Sequence, residues 1–189
     1  FMDAVKFADA LTHKNGILLK EVAPIAAPIP YDYFTRHKPW LKEGQSVVVL
    51  MVAPHSMEPF LALADKMKGD VRFRSDQVES MKGIPHAYEL TWNHTTLRAL
   101  KLDTNITYLQ VQYPGPDHVE KVRVMTELFP DEVIGHLEFI KFDGQIQCAG
   151  LPLVRYTTKE RLEEIIRIHE ENGCPIFNPH RYTLEEGGM

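Results

Sequence analysis

The dipeptide Asp143-Gly144 constrains this chain more than any other feature. It separates two stretches, 132–142 and 145–154, each long enough to be a strand. Asp-Gly tolerates the positive φ angles that a two-residue hairpin turn demands, and it is the strongest short hairpin signal. A tight hairpin makes its two strands antiparallel and rules out a purely parallel sheet.

The segments around this hairpin alternate in type. Residues 4–14 read as a short helix ended by Asn15-Gly16. Pro24, Pro28 and Pro30 deny residues 21–30 a helix or a central strand and predict an extended connection. A helical turn is expected within 31–43. Val47 to Val52 is a continuous apolar run, as in a covered strand. Phe60, Leu63, Ala64 and Met67 follow at the spacing of a helix seam, with Gly69 as its stop. Val71 and Phe73 alternate with Arg72 and Arg74 as a short strand, and 76–88 reads as an irregular loop.

The second half repeats the alternation. A helix is predicted over 94–101 with Asn93 as its cap, then a strand over 106–113. Asp117 and Glu120 resemble a capping box before a helix that carries Val119, Val122, Met125 and Phe129. Thr157 and Glu160 form a second box, before a helix with Leu162, Ile165 and Ile166 that Gly173 ends; a short strand is expected at 174–177. The order is β-α-β, a loop, then β-α-β-β-α-β. It predicts an α+β fold, a duplicated ferredoxin-like arrangement whose antiparallel or mixed sheet has helices on one face. Residues 1–45 read as a connecting helix with a Pro-rich lead-in, 46–177 as the α+β domain, and 178–189 as a terminal arm. The chain opens on Phe1 already in helical phase and stops on Gly187-Gly188-Met189, which reads as a piece of a longer polypeptide.

Charge and composition exclude several classes. With 21 basic and 26 acidic residues the net charge is −5, and no Lys/Arg cluster exists on which a phosphate backbone could lie. No apolar run approaches the roughly 20 residues of a membrane helix. Cys148 and Cys174 make neither a disulfide framework nor a C-x-x-C pair, which favours a cytoplasmic location. No glycine-rich phosphate loop, nucleophile elbow or H-E-x-x-H run is present. The 9 histidines form no i,i+4 pair, so no metal ligand is assigned.

Two segments carry chemistry. In the run ELTWNHTTL (89–97), Trp92, Asn93 and His94 bring an aromatic plane, an amide and an imidazole to one loop-to-helix junction, the equipment of a polar-substrate pocket. The same spacing fits a plainer assignment, with Asn93 as a cap, Trp92 in the core and His94 solvated. In the run GCPIFNPHRYTLEEGGM (173–189), Pro179 holds Asn178 extended, which puts His180 and Tyr182 on one side of the chain. Such a pair can orient a substrate or exchange a proton with it; a polar arm is the alternative. Arg155 at the end of the hairpin is a further polar candidate beside a structural role.

The runs at 91–97 and 173–189 resemble bacterial FAD-linked oxidases of the vanillyl-alcohol oxidase and p-cresol methylhydroxylase superfamily. The element order and the Pro-rich lead-in are similar to the cap domain that follows the FAD-binding domain. The resemblance implies FAD as cofactor, held mainly by a domain of the same polypeptide outside this chain, with a small molecule as substrate. A flavin would take a hydride from an alcohol, phenol or hydroxy-acid type substrate while the protein orients it. It implies substrate-facing roles for Trp92, Asn93, His94 and Arg155, catalytic roles for His180 and Tyr182 near the flavin, and a turn fixed beside the cofactor by Asn178. The chain lacks the GDGNLH-like run with which hydroxy-acid-oxidising relatives bind a metal, and the closing segment of such relatives. On this reading the isolated chain is inactive. The residues leave two other classes open: a self-standing ferredoxin-like module forming a homodimer through its sheet, and a metal or isomerase-type enzyme that would gather His86, His94, His136 and His180.

Overall fold

The computed structural model of the chain describes residues 1–179. Its first half contains α1 (Met2–Thr12), β1 (Leu19–Ile25), α2 (Ile29–Tyr33), β2 (Val47–Val52), α3 (Met57–Lys66) and α4 (Asn93–Leu100). The second half contains β3 (Ile106–Tyr108), β4 (Gln110–Tyr113), α5 (His118–Leu128), β5 (Val133–Ile134), β6 (Leu137–Phe142), β7 (Gln145–Gly150), β8 (Leu153–Arg155), α6 (Lys159–Glu171) and β9 (Ile176–Phe177). The fold is α+β and every strand pair is antiparallel.

Asp143 (φ 48°) and Gly144 (φ 76°) make the hairpin turn between β6 and β7, as their sequence demands. The four-stranded sheet has the order β6-β7-β4-β9. Read with its helices, β4-α5-β6-β7-α6-β9 is one ferredoxin-like unit. The first half does not repeat it. There β1 pairs with β2, and β1 runs beside β6 through an Ile25–His136 bridge and a 2.7 Å bond from Ala26 N to the Gly135 carbonyl.

Side-chain alternation divides the core in two. Leu137 and Phe139 of β6, Val111 and Tyr113 of β4 and Cys148 of β7 face one way and meet Val122, Met125 and Phe129 from α5 and Ile165 from α6. Val5 and Ala8 of α1 and Val22 of β1 join that cluster, so residues 1–45 share the core and are more than a connecting segment. The opposite face carries a second cluster, in which Ile25, Ile29, Phe34, Leu90, Ala99 and Leu153 pack. The helices of the ferredoxin-like unit thus lie on one face, and the 26–34 and 87–99 segments cover the other.

Several local readings need correction. Residues 19–25 form a strand despite Pro24, which lies opposite Val48 in the register. Pro28 and Pro30 begin helix α2 instead of preventing one, because a proline in a first helical turn forfeits no hydrogen bond. Residues 71–74 form no strand. Each long strand of the second half is bent in two, at Leu109, at Gly135-His136 and at Leu151-Pro152. These breaks coincide: Leu151 N donates to the His136 carbonyl at 2.8 Å, and a smaller sheet, β3-β8-β5, continues beyond them. Helix α3 is stopped by Lys68 at φ 59° rather than by Gly69, whose N donates to the Ala64 carbonyl at 2.7 Å. Asp117 bonds Lys121 at 2.8 Å instead of capping α5, and Thr158, not Thr157, caps α6 through Arg161 N.

His169 shows how the core responds to acid. Its ring is fully buried, stacked on Phe129 at 5.3 Å, with Nδ1 donating to the Ile165 carbonyl. Burial holds its pKa below the ordinary 6.5 despite that bond. Burial, with Arg98 as a lesser cause, does the same to His37. The unfolded chain accepts protons at these sites that the folded chain refuses, so stability falls as pH drops below about 6.5. Urea midpoints measured against pH should show this acid limb, and His169→Leu should flatten it; an unchanged slope would refute the assignment.

Candidate functional site

The candidate site lies where β6 meets the 87–93 segment. Leu137 and Phe139 point to the helix layer, so His136 and Glu138 point the other way. Both are buried, and His136 Nε2 lies 2.8 Å from Glu138 Oε1. The same carboxylate oxygen accepts the backbone N–H of Trp92 at 2.7 Å. From β1, Glu21 enters the cluster and accepts a hydrogen bond from the buried Thr91 hydroxyl. Burial raises the pKa of Glu21; the Thr91 bond opposes this and the Glu138 charge adds to it. Residues 91–92 are therefore clamped to two buried carboxyl groups on neighbouring strands, Thr91 through its hydroxyl and Trp92 through its backbone N–H. The Nδ1 atom of His136 has no hydrogen-bond partner among the described residues.

What the clamp holds is a strained turn. Trp92 has φ 52° and ψ −143°, a region that favours glycine. It forms the junction from which α4 starts, so Asn93 is the first helical residue and not the cap. The Trp92 side chain is 46% exposed rather than buried in the core. His94 is exposed, with Nδ1 at 2.9 Å from the Tyr88 carbonyl. Behind the turn, Thr95 Oγ1 donates to the Leu90 carbonyl at 2.5 Å and Arg98 Nε to the Glu89 carbonyl at 2.9 Å. The indole, the Asn93 amide and the imidazole are presented together at the surface on a fixed backbone.

The strain has a direct test. Trp92→Ala and Trp92→Gly both remove the indole, but only glycine relaxes at positive φ. Urea unfolding should find Trp92→Gly more stable than Trp92→Ala by about 1 kcal/mol. Equal stabilities would mean that the turn stores no strain.

The other sequence candidates lie elsewhere. Arg155 ends β8, where its Nε donates to the Asp131 carbonyl at 3.0 Å and its backbone N to Glu132. Asn178 follows β9 at the sheet edge opposite β6, three strand spacings or roughly 14 Å away. His180 and Tyr182 lie outside the described residues. Sequence reasoning missed Glu21, Thr91 and Glu138, and named His136 only among the histidines of a metal or isomerase-type site. The alternation of His136 and Glu138 with Leu137 and Phe139 was visible, but it marks a wet face as readily as a buried polar cluster.

Among the described residues, no group of three or more His, Cys, Asp or Glu is placed to hold a metal ion, and no helix is long and apolar enough to cross a membrane. No protein-family model matches the chain, and a search of curated proteins finds no match.

Proposed function

We propose that this chain is the substrate-covering domain of an FAD-dependent oxidoreductase that takes a hydride from an alcohol, phenol or hydroxy-acid type substrate. The observation that carries the reading is the Trp92-Asn93-His94 turn: a strained backbone, clamped by Glu138, with its three side chains turned outward. Sparsely populated backbone conformations held by buried partners cluster at ligand-binding surfaces. The resemblance of 91–97 and 173–189 to FAD-linked oxidases supplies the reaction class, and the ferredoxin-like unit is compatible with a cap. On this reading FAD belongs to another domain of the polypeptide. His94 and Asn93 orient the polar end of the substrate and Trp92 covers its apolar part.

The test uses the purified chain. FAD fluorescence should stay unquenched on mixing, while a panel of phenols, benzylic alcohols and 2-hydroxy acids should include one that shifts the amide resonances of Trp92, Asn93 and His94. Tight FAD binding, or a panel that leaves those resonances still, would contradict the reading.

A second reading, a self-standing module that dimerises through its sheet, draws on β2. Among the described residues this apolar strand pairs with β1 alone. Sedimentation equilibrium separates the two readings, since a dimer broken by charges placed on β2 favours the second.

A further inference from the structure

A sizeable cleft lies away from the 92–94 turn. It has a volume of about 800 Å³ and lies between β2 and the 67–76 segment, and none of Trp92, Asn93 and His94 lines it. That volume is in the range of small-molecule sites. Much of its wall is apolar: Val49 and Met51 of β2, Phe7 of α1, and Met57 and Phe60 of α3 all line it, while charged residues of the 67–76 segment line another side. All six residues of β2 remain only half-buried, as though their cover were incomplete.

Two polar groups in this lining have nitrogen atoms with unused hydrogen-bonding capacity. Arg72 has Nε and Nη2 shielded from solvent; Nε faces no acceptor and Nη2 meets only the Asp70 carboxylate, as an ion pair. Those two nitrogens form the edge of the guanidinium that takes a carboxylate in two parallel bonds. Asp70 lies 2.8 Å from Nη2 without completing a hydrogen bond, and its carboxylate is 67% exposed. An exposed pair of this kind contributes little. The neighbouring Arg74 differs, because Asp76 already occupies its fork at 3.0 and 2.6 Å. His37 is 6% exposed, packs edge-on against Phe73 at 5.1 Å and leaves Nδ1 without a partner. Shielded donor nitrogens at the side of a largely apolar cleft are costly unless an acceptor completes them.

We propose that the cleft binds an apolar carboxylic acid as its anion, with the carboxylate on Arg72 Nε and Nη2 and the hydrocarbon along β2. An anionic ligand of this kind displaces the exposed Asp70 carboxylate from Nη2 and completes the fork, and its chain covers the half-buried strand. A hydroxyl on that chain would find an acceptor in His37 Nδ1. The inference does not depend on the flavin reading, since the cleft and the 92–94 turn share no residue.

Calorimetric titration of the purified chain with decanoate, decanol and acetate separates the parts of the claim. Decanoate should bind, while decanol and acetate should each bind at least tenfold more weakly. Arg72→Gln should weaken decanoate at least tenfold and leave decanol unchanged. Arg72→Lys, which keeps the charge and loses the fork, should recover only part of the affinity. Should Arg72→Gln fail to fold, Val49→Trp carries the test: it fills the cleft while keeping Arg72 in the sequence and should abolish decanoate binding. Decanol binding as tightly as decanoate, indifference to Arg72→Gln, or no decanoate binding at all would overturn the proposal. So would a dimer through β2 that decanoate leaves intact.

Discussion

Glu138→Ala is expected to lower the unfolding free energy by about 3–5 kcal/mol, the usual cost of breaking a buried polar pair from one side. The carboxylate is 2% exposed and one oxygen serves both His136 Nε2 and the Trp92 N–H, each at close hydrogen-bond distance. Truncation leaves a fully buried imidazole without its partner on Nε2 as well as on Nδ1, and it frees the backbone of a strained turn. Against the roughly 5–15 kcal/mol that an ordinary domain possesses, this is a large fraction. Glu138→Gln keeps an acceptor for the Trp92 N–H in nearly the same volume and should cost distinctly less. Urea unfolding followed by far-UV dichroism measures both. If Glu138→Ala costs less than about 1 kcal/mol, the cluster does not hold the turn.

Gly150→Val is expected to cost about 1–3 kcal/mol through overpacking. Gly150 lies on β7 between Val111 and Leu137, facing the helix layer. A Cβ there would stand 2.8 Å from Cε2 of Tyr113, closer than side chains tolerate. The Tyr113 ring is 4% exposed and has nowhere to retreat. Burial also pushes its phenol pKa well above the ordinary 10.0, so the ring is neutral at any working pH. The clash is specific, which makes it reversible. Tyr113→Leu vacates the ring position, so the double variant should lose less than the sum of the two single changes. Strict additivity would show that Tyr113 and Gly150 do not share that space.

The sequence made the second half of the fold readable and left the first half obscure, for physical reasons. Asp143-Gly144 permits one turn geometry, and helix seams such as Val122, Met125 and Phe129 declare their period openly. Residues 19–34 mislead because proline rules speak of interiors. Pro24 is accommodated inside a strand, and Pro28 and Pro30 stand where a helix begins. The strand breaks at Leu109, Gly135 and Leu151 are tertiary features, placed by three neighbouring strands bending together, and no single stretch announces them. The site was half legible. The composition of ELTWNHTTL marked Trp92, Asn93 and His94, and the structure presents them together at the surface. The buried carboxyl groups that fix them come from Glu21 and Glu138, 70 residues from Thr91 and 46 from Trp92. Contacts at such separation are written in the fold and not in local pattern.

The pH behaviour of the site carries a sign of its own. Because burial raises the Glu21 pKa above 4.5, the folded chain holds that proton more tightly than the unfolded one. Its contribution to stability is therefore lost as pH rises from 4.5 through the raised value, opposite in direction to the limb set by His169 and His37.

On the proposed function, the 92–94 turn would cover a substrate above a flavin. The most direct measurement is anaerobic reduction of the flavin in the complete natural polypeptide, followed by loss of its visible absorbance. The expected result under the proposed function is a yellow protein whose colour bleaches with one member of a phenol, alcohol and hydroxy-acid panel. The proposed function further predicts that Trp92→Ala or His94→Ala slows the bleaching while leaving the bound FAD in place. A colourless polypeptide without FAD, or bleaching that neither substitution slows, would contradict it.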